Sequence, residues 1–178
     1  IEQWRFTHFG ITTNTGNAAD NADPDNDGVA NLVEFNNGTL PNDATSLPVF
    51  VWHQPVSGNW TTAANWNIGL APPSSPATRL EFLSDLTTLS AGTIIPNNDN
   101  AGIFSLNSLR LAGSGSGSIA INSTGGALRF HANGELPPQL KLNAYSTNLT
   151  YTLTNPIDLT ADLTIDGANT GNFALNGP

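Results

Sequence analysis

From Val49 onward the chain is written in short alternating runs, and this pattern constrains its fold more than any other feature. Phe104-Ser-Leu-Asn-Ser-Leu-Arg-Leu111, Ser118-Ile-Ala-Ile121, Ala127-Leu-Arg-Phe130, Gln139-Leu-Lys-Leu142, Asn148-Leu-Thr-Tyr-Thr-Leu153, Asp162-Leu-Thr-Ile165 and Asn172-Phe-Ala-Leu175 each set apolar side chains two apart. A half-buried strand requires that period. Thr124-Gly-Gly126, Ala132-Asn-Gly134, Asn155-Pro156 and Asp166-Gly167 separate the runs as turns. Sandwiches, barrels and solenoids all allow such spacing. Two details favour a solenoid. Each run offers only two or three inward residues, and the outward ones are mostly Asn, Thr, Ser and Ala. Stacked coils align such residues into polar ladders outside and apolar ladders inside. Period two does not distinguish parallel from antiparallel pairing.

Residues 1–48 have a different texture. Ile1, Trp4, Arg5, His8 and Phe9 lie at helical spacing before Gly10, which predicts a short helix over about 2–9. A polar loop follows, and then Asp23-Pro-Asp-Asn-Asp-Gly-Val-Ala-Asn-Leu-Val-Glu34. This segment fits the twelve-residue Asp-x-Asp-x-Asp-Gly calcium loop in full. Asp23, Asp25 and Asp27 take positions one, three and five. Gly28 takes the sharp turn at six. Val29 offers its backbone carbonyl at seven, Asn31 stands at nine, and Glu34 closes the site with both carboxylate oxygens. Hard Ca²⁺ takes six to eight oxygens, whereas Mg²⁺ demands a stricter octahedron, so calcium is the expected ion. With no ion, three aspartates in five residues repel each other. Asp20 and Asp43 flank the loop; they could add outer-sphere contacts to the ion but read better as surface charges. Leu32, Val33 and Phe35 are expected to form the apolar side of a second helix, ended by Asn36-Asn37-Gly38. Pro41 to Pro48 reads as a linker. One loop of this kind argues for a structural staple on a small module with a marginal core.

Charge excludes several partners. Five basic against fourteen acidic residues leave a formal net charge of -9, which disfavours nucleic acid and anionic membrane surfaces. There is no Cys, so disulfides and thiolate sites are excluded. No apolar run reaches the roughly 20 residues of a membrane span. The chain starts at Ile1 and has no Met, which reads as a processed chain or an internal fragment.

Two resemblances follow from these residues. Trp4-Arg-x-x-His-Phe-Gly10, Asn17-Ala-Ala-Asp20, Asp23-Pro-Asp-Asn-Asp-Gly28, Asn31-Leu-Val-Glu-Phe35 and Gly38-Thr-Leu-Pro41 resemble the thrombospondin type 3-like or dockerin-like calcium modules of large secreted bacterial proteins. A dockerin carries two such loops, and this chain has one. Val51-Trp52, Gly58-Asn-Trp-Thr-Thr-Ala-Ala-Asn-Trp66, Pro72-Pro73 and the later strands resemble an autotransporter-associated β-strand repeat region. That resemblance implies a right-handed parallel β-helix on a secreted or cell-surface protein.

Other chemistry is weakly signalled. Trp52, Trp60 and Trp66 could form a sugar-stacking platform, but they read better as the apolar closure of the first coil. Asp158, Asp162 and Asp166 suggest paired carboxylates, yet their parity places Asp162 and Asp166 on a solvated face. Arg110, Arg129 and Lys141 read as outer-face residues. His8, His53 and His131 have no ligand spacing, with His8 packing on the first helix and His131 facing solvent.

The expectation is therefore a mainly β, secreted or surface, bacterial protein. A helix-loop-helix, EF-hand-like calcium module over 1–48 precedes a right-handed parallel β-solenoid over 49–178, whose amino-terminal end is closed by 49–80. Its expected role is structural and not enzymatic. Its expected partners are further repeats or other copies, head to tail at residues near 170–178. The alternative is a carbohydrate-binding module that holds polysaccharide on the tryptophans or on an Asn/Thr-lined face.

Overall fold

A computed structural model describes residues 1–52, 55–83, 93–167 and 170–177. His53 and Pro178, named above, lie outside the described residues. The chain forms two compact units, Ile1–Pro48 and Val49–Pro178.

The second unit is a parallel β-solenoid of about four turns. Its first sheet stacks Val49–Trp52, Arg79–Leu83, Ser108–Gly113, Gln139–Ala144 and Thr164–Asp166. The second stacks Gly58–Asn59, Pro96–Asn98, Gly117–Ser123, Leu149–Leu153 and Asn172–Leu175, with Thr93–Ile94 beside Gly117–Ser123. Phe104–Leu106, Leu128–Phe130 and Ile157–Leu159 make the third. Strand pairing among the described residues is parallel throughout.

Register explains why such short strands suffice. Phe50, Leu80, Leu109, Leu140 and Ile165 stand one above another, as do Phe104, Leu128 and Ile157. Phe50, Leu80, Leu109 and Leu140 are 0–1% exposed. Burying one such side chain stabilises by roughly 1.5–3 kcal/mol, so each coil gains most of its stability from its neighbours. Tyr151 crosses the core, its hydroxyl lying 2.7 Å from Phe82 O and 2.6 Å from Ala112 O. The outside carries the polar ladders. Asn97 Nδ2 donates to Asn59 Oδ1 and to Thr124 Oγ1, each at 3.2 Å. At one corner successive coils come too close for side chains: a Cβ on Gly125 would stand 2.0 Å from Asn100 O, and on Gly126 2.4 Å from Gly102 O.

The two ends of the solenoid differ. At the amino-terminal end Trp66 bridges Trp52 in antiparallel fashion. Asn67 N donates to Val51 O at 2.9 Å, and Val51 N donates to Asn67 Oδ1 at 2.8 Å. Trp52, Trp60 and Trp66 are buried to 1% exposure or less, packed on Phe82 and, for Trp60, Phe104. At the other end the ladder positions are open. Leu159 is 50% exposed, Ile165 55% and Leu175 45%, although the residues stacked before them are buried.

The first unit contains helix α1 (Glu2–Phe9), a 3₁₀ turn at Gly16–Ala18 and helix α2 (Asn31–Asn37). Gly10 and Gly38, both left-handed, stop the two helices. Only α2 adjoins the aspartate loop; the segment 10–22 separates that loop from α1.

Candidate metal centre

The expectation for α2 is corrected in one respect. Leu32 and Phe35 are 42% and 37% exposed, whereas Asn31 and Glu34 are the buried residues of the helix. Its inward face is polar. A buried polar face with unmet hydrogen bonding is costly unless something compensates it.

The preceding segment fixes Asn31. Its Nδ2 donates to Asn17 O at 2.8 Å and Ala19 O at 2.7 Å. Two carbonyl acceptors on one side identify that atom as the amide nitrogen. Oδ1 is left buried and without a protein partner. The segment that carries these carbonyls is held by Arg5, buried on α1, through the carbonyl of Ala18 between them. Its Nε donates to Ala18 O at 3.1 Å, and its guanidinium pairs with Asp20. Asn14 completes the latch, accepting from Asp20 N at 2.7 Å and donating to Asp20 Oδ2 at 3.0 Å. Asp20 is thus an internal anchor and not a plain surface charge. No sequence pattern signals this Arg5–Asp20–Asn14 latch beyond Arg5 sharing the helical spacing of Ile1, Trp4, His8 and Phe9.

The loop curls by local hydrogen bonds. Asp27 N lies 3.2 Å from Asp23 Oδ1 and 3.3 Å from Asp25 Oδ1. Gly28 N donates to Asp23 Oδ2 at 3.0 Å, and Val29 N to Asp27 Oδ1 at 2.7 Å. Asn26 and Gly28 take the positive φ angles of 61° and 92° that the turn needs. Asp23, Asp25 and Asp27 bring carboxylate oxygens within 4.8 Å of one another.

Glu34 arrives from α2. It is 0% exposed; Thr39 Oγ1 lies 3.4 Å from its Oε1, and its Oε2 has no partner. One oxygen each of Asp25 and Asp27 is likewise buried and unpartnered. Burial, followed by the charges of Asp25 and Asp27, pushes the Glu34 carboxyl up to about 8. Burial, with Asp25, Asp23 and Asp43 adding repulsion, pushes Asp27 up to about 6. Asp25 is raised too, chiefly by burial. Asp43 is a surface charge as expected, and its carboxylate adds to the repulsion at Asp27. Its own carboxyl is held low by Thr45.

Four oxygens of four residues (Asp25, Asp27, Asn31 and Glu34) are therefore buried and unsatisfied in one module. They are hard donors, suited to a hard divalent cation. Of the two remaining expected ligands, Asp23 accepts from Asp27 N and Gly28 N, and Val29 is buried, 1% exposed.

The other candidates do not assemble into a second centre. Asp158 accepts from Arg129 Nε at 2.6 Å. Among the described residues, Asp23, Asp25 and Asp27 are the one group of acids or histidines close enough to share an ion. His8 packs on Trp4 at 4.9 Å. His131 differs from expectation: its Nδ1 lies 3.0 Å from Thr160 Oγ1 and its Nε2 is buried. Comparisons with family models, curated proteins and solved structures return no match.

Proposed function

We propose that the chain is a calcium-stabilised structural segment of a secreted or cell-surface bacterial protein. The observation that carries the reading is Glu34, fully buried with an unpartnered oxygen in a module that also holds three aspartates. A divalent cation held by Asp23, Asp25 and Asp27, with Asn31 and Glu34 (which stands outside that group of three) closing onto it, would supply the missing partners of Glu34, Asn31, Asp25 and Asp27, and the Val29 carbonyl would complete an EF-hand-like set. In this role calcium is a folding staple, and no catalytic step is assigned to the chain.

The solenoid supplies length. Right-handed coiling is the sense that parallel crossover connections prefer. Each coil adds about 4.8 Å along the axis. The open ladder at Leu159, Ile165 and Leu175 fits a further parallel coil. A head-to-tail neighbour fits less well, because Asn67 already occupies the N–H and C=O of Val51 on the opposite edge. The sugar-stacking alternative loses its tryptophan platform, since Trp52, Trp60 and Trp66 are core residues.

Light scattering with bound-metal analysis, with and without EGTA, tests the reading. About one calcium per chain, lost in EGTA together with a large share of the stability of residues 1–48, is expected. A metal-free chain with that unit equally stable would overturn it.

A further inference from the structure

The chain has five cationic side chains, and three of them project from one face. Arg79, Arg110 and Lys141 lie on the outer side of the first sheet, on three successive coils. The remaining two are engaged elsewhere, Arg5 with Asp20 and Arg129 with Asp158. A molecule of net charge -9 thus gathers most of its positive charge in one place. A groove runs along this face, lined by Ser108 and Gln139 as well as the three cations, and also by the carboxylates of Glu81 and Asp166.

Cross-strand pairing accounts for part of the arrangement. The register places Glu81, Arg110, Lys141 and Asp166 in one row across four coils, so Arg110 faces Glu81 and Lys141 faces Asp166. Arg110 also stands directly beside Lys141, and like charges on facing positions of adjacent strands are destabilising. Arg110 Nη1 reaches Glu81 at 3.2 Å, but both side chains are partly exposed, and pairs of that kind contribute about 0–1 kcal/mol. Lys141 makes no ion pair among the described residues. An anion lying between Arg110 and Lys141 relieves their repulsion.

We infer that this face binds a linear polysaccharide carrying carboxylate groups, laid along the solenoid axis. Coils repeat at about 4.8 Å, a step comparable to the advance of a polysaccharide by one sugar ring. One cation per coil therefore meets one acidic sugar per ring. The Arg110 guanidinium matches a carboxylate in its planar fork geometry, and Lys141 adds a point charge. Ser108 and Gln139 offer hydroxyl and amide groups to sugar hydroxyls. Densely charged polyphosphates are disfavoured, because three cations do not offset the acidic remainder of the chain.

The test is calorimetric titration of the full chain with polygalacturonate oligomers in EGTA, beside neutral dextran and dextran sulfate. EGTA separates the result from the calcium loop, so failure here leaves that site untouched. Binding of polygalacturonate that weakens about tenfold in Arg110→Gln and in Lys141→Gln, and weakens with salt, is expected. Both variants are outer-face changes, and their circular dichroism should match that of the unmodified chain. No binding, equal binding of neutral dextran, exclusive binding of dextran sulfate, or binding unchanged in both variants would overturn the inference.

Discussion

Glu34 is the residue on which the amino-terminal unit turns. Replacing it by Gln keeps the shape but removes the charge, and calcium affinity should fall by at least about tenfold in a calorimetric titration. Asp43→Asn, which removes only a surface charge beside the loop, should change affinity far less. The acids also set a pH dependence. In the metal-free folded unit Asp27 and Glu34 keep their protons up to about 6 and about 8, against 3.8 and 4.5 as ordinary values. Folded carboxyls raised in this way hold protons that the unfolded chain has released, so stability falls as pH rises across that window. Thermal melts in EGTA should therefore give a lower midpoint for this unit at pH 8 than at pH 5, and excess calcium should reverse the order. A metal-free midpoint that rises with pH would contradict the assigned burial of Glu34.

At the scale of elements, the coils should not be equally sensitive. Leu109 is 0% exposed in the middle of its ladder, and Leu109→Ala should cost about 2–5 kcal/mol in denaturant unfolding. Leu159 is 50% exposed on the last coil, and Leu159→Ala should cost well under about 1 kcal/mol. Tyr151→Phe removes the hydroxyl shared by Phe82 O and Ala112 O, and should cost about 1–3 kcal/mol. These contrasts also show what was legible in advance. The strands were readable because period two is written locally, in Leu128-Arg-Phe130 or Leu149-Thr-Tyr-Thr-Leu153. Parallel stacking was not, because it pairs Leu109 with Leu140 across a whole coil, and no local pattern encodes that partner. The aspartate loop was legible from spacing alone. The polar inner face of α2 was not, since Leu32, Val33 and Phe35 mimic an apolar stripe while Asn31 and Glu34 take the interior. The latch of Arg5 on Asp20 joins residues separated by a loop, and pattern reading has no access to such a pair.

At the scale of the whole molecule, two units with separate cores predict two responses. Calcium should raise the midpoint of the first unit only, by the free energy of binding, about 2.7 kcal/mol at a hundredfold excess over the dissociation constant. The solenoid, held by apolar ladders and backbone pairing, should keep its β circular dichroism in EGTA. The account depends most directly on the ion itself. Calorimetric titration of the EGTA-treated, dialysed chain with CaCl₂ should show saturable uptake of about one ion per chain, and Glu34→Gln should abolish or greatly weaken it. No saturable heat, or uptake unchanged in Glu34→Gln, would contradict it.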